Sequence, residues 1–316
     1  MTPREIVAKA WDITTKESLL RRWGFASAFL ETMLNAKLFA YQAWLLYSYF
    51  ILDDPIGFFK FETALLEHLP RWLAVSIIIF FTLLILVEWL FPHFAKGAII
   101  GLAAKSYQKE EVKGGLVLAV YNFFPLFAIH EMLVISGLTT AITLSSLSLR
   151  YGGAAGFWGV GIVLAIWLFS NILEFFWIFS EEAVVIRKEG IKRSVSRSCK
   201  LVISHLGHIV FLMLLLLFIM LRIIANMFMV ILVPGIVIGI GFSLAFLMPP
   251  VISYSIGALL GIVIIFFASY FFAYLEVFRQ SVWTLTYIEL CKLKDLDLIE
   301  VESAQEAPSP GELLAE

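Results

Sequence analysis

Residues 72–91 read WLAVSIIIFFTLLILVEWLF, a run in which Glu88 is the one ionisable side chain. At about 1.5 Å rise per residue, a helix of that length covers roughly the 30 Å hydrocarbon core of a bilayer. Its backbone polar groups are then all satisfied internally, as lipid demands. Five further runs of the same kind flank it: Leu34–Leu52, Gly115–Leu144, Ala155–Phe179, Gly207–Val233 and Tyr254–Val277. The composition agrees, since 61% of the 316 residues are hydrophobic and 15% charged, with a mean hydropathy of +0.92. Soluble domains carry about 25% charged residues, so a water-soluble enzyme, a disordered chain and a disulfide scaffold are excluded. The expected fold is an all-α integral membrane protein of about six transmembrane helices with cytoplasmic amphipathic helices.

Lys and Arg accumulate in cytoplasmic loops, and their distribution orients these spans. Eighteen fall on the side of both termini, three (Lys60, Arg71, Arg150) on the other, and Lys37 and Arg222 within spans. A multi-pass protein of the cell membrane with both termini cytoplasmic follows as the expectation. Residues 1–24 form a cytoplasmic amphipathic segment, with Ile6, Ala10, Ile13 and Leu20 on one face and Glu17 interrupting it. Their charges leave no room for a cleavable signal. Residues 25–291 form the six-span domain, with a third polar helix at 187–205. The segment 223–250, interrupted by Pro234, Gly235, Gly239 and Gly241, reads as interfacial or re-entrant; a seventh span is the alternative and would put the carboxyl terminus outside. Residues 292–316 read as a disordered acidic cytoplasmic tail. Cys199 and Cys291 both fall on the reducing side, so no disulfide is expected.

A polar segment followed by two spans occurs three times, beginning near residues 4, 94 and 187, with Gly97 to Gly114 matched by Gly190 to Gly207. Three repeated hairpin units would explain it, as would a chain of regular hairpins. Gly97/Gly101, Gly152/Gly156, Gly235/Gly239 and Gly257/Gly261 have the spacing that lets helix backbones approach closely. Packing within the chain is the first reading, and a homo-oligomer through Gly257 and Gly261 the second.

In the third polar helix Ile191, Val195, Cys199 and Val202 recur at helical spacing, while Lys192, Arg193, Arg197 and Lys200 offer cations to anionic lipid head groups. The same charges also serve the positive-inside rule alone. Charge at bilayer depth needs a partner or water, and His130, Glu131, Glu174 and Arg222 form the expected buried polar cluster. It reads either as an ion path or cavity floor, or as an interhelical ion pair; Glu88 and Glu276 are expected to snorkel from span ends. His205 and His208, at i and i+3, supply half a zinc shell with no acid nearby. Val134 stands where an HExxH motif needs its second histidine. No catalytic motif, metal or cofactor is expected, and a net charge of −2 gives no attraction to nucleic acid.

Residues 190–202 (GIKRSVSRSCKLV), the His205-Leu206-Gly207-His208 that follows, and the stretch from Phe278 to Tyr287 resemble the multi-pass membrane domain of bacterial glycerophosphodiester phosphodiesterases and its stand-alone relatives. In that family a helix opened by glycine carries an Arg-Ser-Trp-like core. Here Arg197-Ser198 fits and Cys199 takes the tryptophan position. The resemblance implies a helical membrane domain related to envelope or lipid, without the hydrolase barrel. The expected function is a non-enzymatic integral membrane protein that binds or organises lipid or scaffolds envelope partners, with anionic membrane lipids as partners. The alternative is a small transporter or channel with a buried polar cavity.

Overall fold

The computed structural model describes residues 1–51, 66–133, 136–221 and 249–305, and among them every regular element is helical. The elements are α1 (Pro3–Lys16), α2 (Ser18–Phe50), α3 (Arg71–Tyr107), α4 (Gly115–Glu131), α5 (Leu138–Tyr151), α6 (Gly156–Phe176), α7 (Ser180–Arg187), α8 (Ile191–Ser204), α9 (Leu206–Leu221) and α10 (Pro250–Gln305). A capping box starts α1: Glu5 N donates to Thr2 Oγ1 and Thr2 N to Glu5 Oε2, with a proline in the first turn. The helix stops at Glu17, whose extended backbone separates α1 from α2. Ile6, Ala10, Ile13 and Leu20 are buried, on the face their spacing marks.

By length and composition two helices can cross a membrane, Arg71–Tyr107 and the bent run Gly156–Arg187, and a third if α8 and α9, which meet at 92°, act as one span. Two or three such helices therefore stand among the described residues, where about six spans are expected along the whole chain. The apolar run Gly115–Leu144 is not a single helix. It breaks after Glu131, and α5 begins afresh at Leu138 behind Gly137, whose backbone is extended. The Ser136 carbonyl freed by the break accepts the Trp167 indole N–H at 2.9 Å and the Asn171 amide at 3.4 Å, both from α6. A polar pair on a neighbouring helix thus replaces the missing helical bond. The runs 34–52 and 254–277 lie mostly within α2 and α10. The run 207–233 is described only to Leu221, and the segment 223–250 lies almost wholly outside the described residues. The first and third polar segments hold the separate helices α1 and α8, whereas the second and the tail do not stand apart. Residues 94–107 continue α3 through Pro92, and α10 runs on past Lys292 to Gln305.

With 37 residues, about 55 Å long, α3 outreaches a bilayer core by roughly 25 Å, so its halves meet different surroundings. Between Val75 and Trp89 it exposes Ile79, Phe80, Phe81, Leu83, Ile85, Leu86 and Val87. On a membrane span this is the lipid-facing surface, because acyl chains replace the core as apolar solvent. Beyond Pro92 the helix is enclosed: Ala95, Ala98, Ile99, Ile100, Leu102 and Ala103 are buried. The main core lies here, where α1, α7, α8 and the middle of α10 close around this half of α3, with Phe179 between Trp283 and Tyr287. Burial of each such side chain contributes about 1.5–3 kcal/mol. The bend between α6 and α7 is closed by Ser198 of α8, whose hydroxyl donates to Phe176 O at 2.8 Å and accepts from Phe179 N at 3.0 Å.

Candidate functional site

The start of α2 and the middle of α10 leave a groove of about 460 Å³, lined by Ser18, Arg21, Arg22, Phe25, Phe266, Tyr270, Ala273 and Tyr274. Its chemistry is graded along its length. One end carries two guanidinium groups; Arg21 Nη1 donates to the Tyr274 hydroxyl at 2.7 Å, and its guanidinium carbon stands 5.8 Å from the centre of the Tyr274 ring. Arg22 is exposed. The other end is aromatic: Phe25 meets Phe266 edge to face at 5.3 Å, and Phe29 extends the wall. A cationic end joined to an apolar trough is complementary to a molecule with an anionic head and a hydrocarbon tail.

Beside this groove runs a layer of charge where α2, α3, α7 and α10 converge. Lys96 of α3 holds Glu181 of α7 at 2.7 Å, Gln280 of α10 donates to Glu182 at 2.7 Å, and Arg279 pairs with Glu276 at 2.7 Å. Glu31 of α2 acts electrostatically on the same set. Glu276 is thus paired along its own helix. Deeper along α3, Glu88 does not snorkel. It is fully enclosed and takes Lys37 of α2 on both carboxylate oxygens, at 2.6 and 2.7 Å. Pairing in this way removes most of the cost of holding either charge at bilayer depth.

Of the four residues expected to form one buried cluster, the structure brings together His130 and Glu131, at the end of α4. Glu174 stands exposed on α6, because the helical turn that carries it points outward there, and Arg222 lies outside the described residues. The partner that sequence spacing did not reveal is His93. It lies buried next to Pro92 on α3, its ring 4.2 Å from that of His130 and its Nε2 3.9 Å from Glu131 Oε1. Nothing in linear spacing connects residue 93 with residue 130; antiparallel packing of α4 on α3 does.

The cations of α8 divide. Lys192, Arg193 and Lys200 are exposed, whereas Arg197 is drawn to Glu189 at 2.8 Å. The enclosed face of α8 is Ser194, Ser198, Leu201 and Val202, rotated slightly from the stripe Ile191, Val195, Cys199 and Val202. The shift follows from the serines, which are used as hydrogen-bonding groups at the α6–α7 bend and the α8 start. Arg21 and Arg22 escaped notice as site residues because a juxtamembrane Arg pair also satisfies the positive-inside rule. No protein-family model matches the chain, and neither a curated protein nor a solved structure matches it.

Proposed function

We propose that the protein is a non-enzymatic integral membrane protein that binds anionic phospholipid and organises it at one face of the membrane. The observation that carries this reading is the α2–α10 groove, with Arg21 and Arg22 at its cationic end and Phe25 and Phe266 along its apolar wall. The 92° turn between α8 and α9 supports it. A helix presenting Lys192, Arg193 and Lys200 can lie along the head groups while the next helix descends. The even count of spans, the cytoplasmic termini and the kinship implied by residues 190–202 belong to the same proposal.

Each cation near an anionic surface contributes about 1 kcal/mol, so losing two weakens binding by about 2 kcal/mol, roughly 30-fold. Native mass spectrometry of protein released from bilayers of phosphatidylglycerol and phosphatidylcholine tests this. Wild type is expected to retain phosphatidylglycerol, Arg21→Glu/Arg22→Glu to lose it, and Lys192→Glu/Arg193→Glu to lose part. Retention unchanged in the Arg21/Arg22 variant would remove the groove from the account.

A further inference from the structure

We propose that His93, His130 and Glu131 form a binding site for a divalent transition-metal ion of the zinc type, independent of the lipid groove. Each of the three side chains offers one ligand atom, and these atoms all lie within 4.8 Å of one another. Three atoms so spaced always fit within a sphere of radius about 2.8 Å, so a single point lies within that distance of all three. Small side-chain rotations then reach the Zn–N and Zn–O lengths of about 2.0–2.2 Å. The donor set, two imidazoles and one carboxylate, is of the borderline kind that suits zinc and its neighbours rather than calcium or magnesium.

The surroundings favour a cation in three ways. Glu131 Oε1 is shielded from solvent and accepts no hydrogen bond among the described residues, so a negatively charged acceptor is left open toward His93. His130 and Glu131 stand in the last turn of α4, at the partially negative end of the helix dipole. Lys96, one turn along α3 from His93, is balanced by Glu181 at 2.7 Å. His93 comes from a buried position on α3, while His130 and Glu131 come from a helix end less enclosed by protein. Three ligands on two helices leave a fourth position for water or another small ligand. His205 and His208 lack a third ligand of this kind among the described residues.

The test is zinc content and affinity of the full chain purified in detergent, using competition with a chromophoric chelator and the visible spectrum of the Co²⁺ form. Wild type is expected to bind about one Zn²⁺ per chain and to give intense absorption from a four-coordinate Co²⁺ centre. His130→Ala and Glu131→Gln, both at the less enclosed end, should weaken binding at least tenfold, whereas His208→Ala should not change it. His93→Ala should abolish the Co²⁺ spectrum, with its elution profile compared with wild type as the control for folding. Absence of stoichiometric zinc in wild type, or binding that survives His130→Ala and Glu131→Gln while failing in His208→Ala, would overturn the assignment.

Discussion

At the scale of single residues, two ion pairs are placed where a missing partner would be costly. With Glu88 fully enclosed and Lys37 its partner, Glu88→Gln leaves an ammonium group with no counter-charge and is expected to destabilise by about 3–5 kcal/mol. Lys37→Met/Glu88→Leu, which removes both charges, should cost far less. Thermal unfolding in one detergent compares them, and equal losses in the single and double variants would show that the pair is not the source. Glu289 allows a pH test outside the spans. Burial opposes its ionisation, but the Tyr107 hydroxyl at 2.6 Å, the Lys292 ammonium and the amino group of Met1 hold its carboxyl below the usual range. A depressed folded value means that this stabilisation is complete above the unfolded carboxylate value of about 4.3 and is lost as pH falls through the folded one. Tyr107→Phe should therefore raise the acid-unfolding midpoint and cost about 1 kcal/mol at neutral pH. An unmoved acid midpoint would deny the bond its role. Of these residues, Glu88 and Lys37 were visible as charges within spans, but not as a pair, because 51 positions separate them.

At the scale of elements, glycines and a serine set the close approaches. A Cβ on Gly156 would stand 2.8 Å from the Ser148 carbonyl oxygen, and one on Gly97 3.1 Å from that of Leu118; both contacts are with backbone, which yields little. Gly156→Val and Gly97→Val are expected to destabilise by about 1–3 kcal/mol through overpacking. Thermal unfolding measures both, and a neutral result would mean that these helices are not held so near. Ser198→Ala should cost about 1–3 kcal/mol by stripping the α6–α7 bend of a buried partner. The small-xxx-small spacing of Gly97/Gly101 and Gly152/Gly156 made this packing legible in the sequence. The break at Ser136 and Gly137 was not legible, because hydropathy averages over the run Gly115–Leu144 and cannot sense that Trp167 satisfies a freed carbonyl. The basic face of α8 was legible from its spacing, although Arg197 turns out to serve Glu189.

At the scale of the whole molecule, the chain builds its protein core at one end and leaves its apolar helices to lipid. Ala98–Ala104 of α3 and Val277–Cys291 of α10 lie largely enclosed, while Phe80 and Trp158 are 62% and 80% exposed. The composition disclosed a membrane protein, and the charge tally marked one side as basic. Neither showed that α2 and α10 would meet to form the groove, since Arg21 and Tyr274 are 253 positions apart. The anionic phospholipid proposed for this groove would place its head on Arg21 and Arg22 and its chain against Phe25 and Phe266. Photocrosslinking with a phosphatidylglycerol carrying a photoreactive group in its acyl chain, followed by peptide mapping, tests this most directly. Labelling concentrated on the peptides holding Phe25 and Phe266, and lost in Arg21→Glu/Arg22→Glu, is the predicted result. Labelling spread evenly over exposed apolar residues such as Phe80 and Trp158 would contradict it.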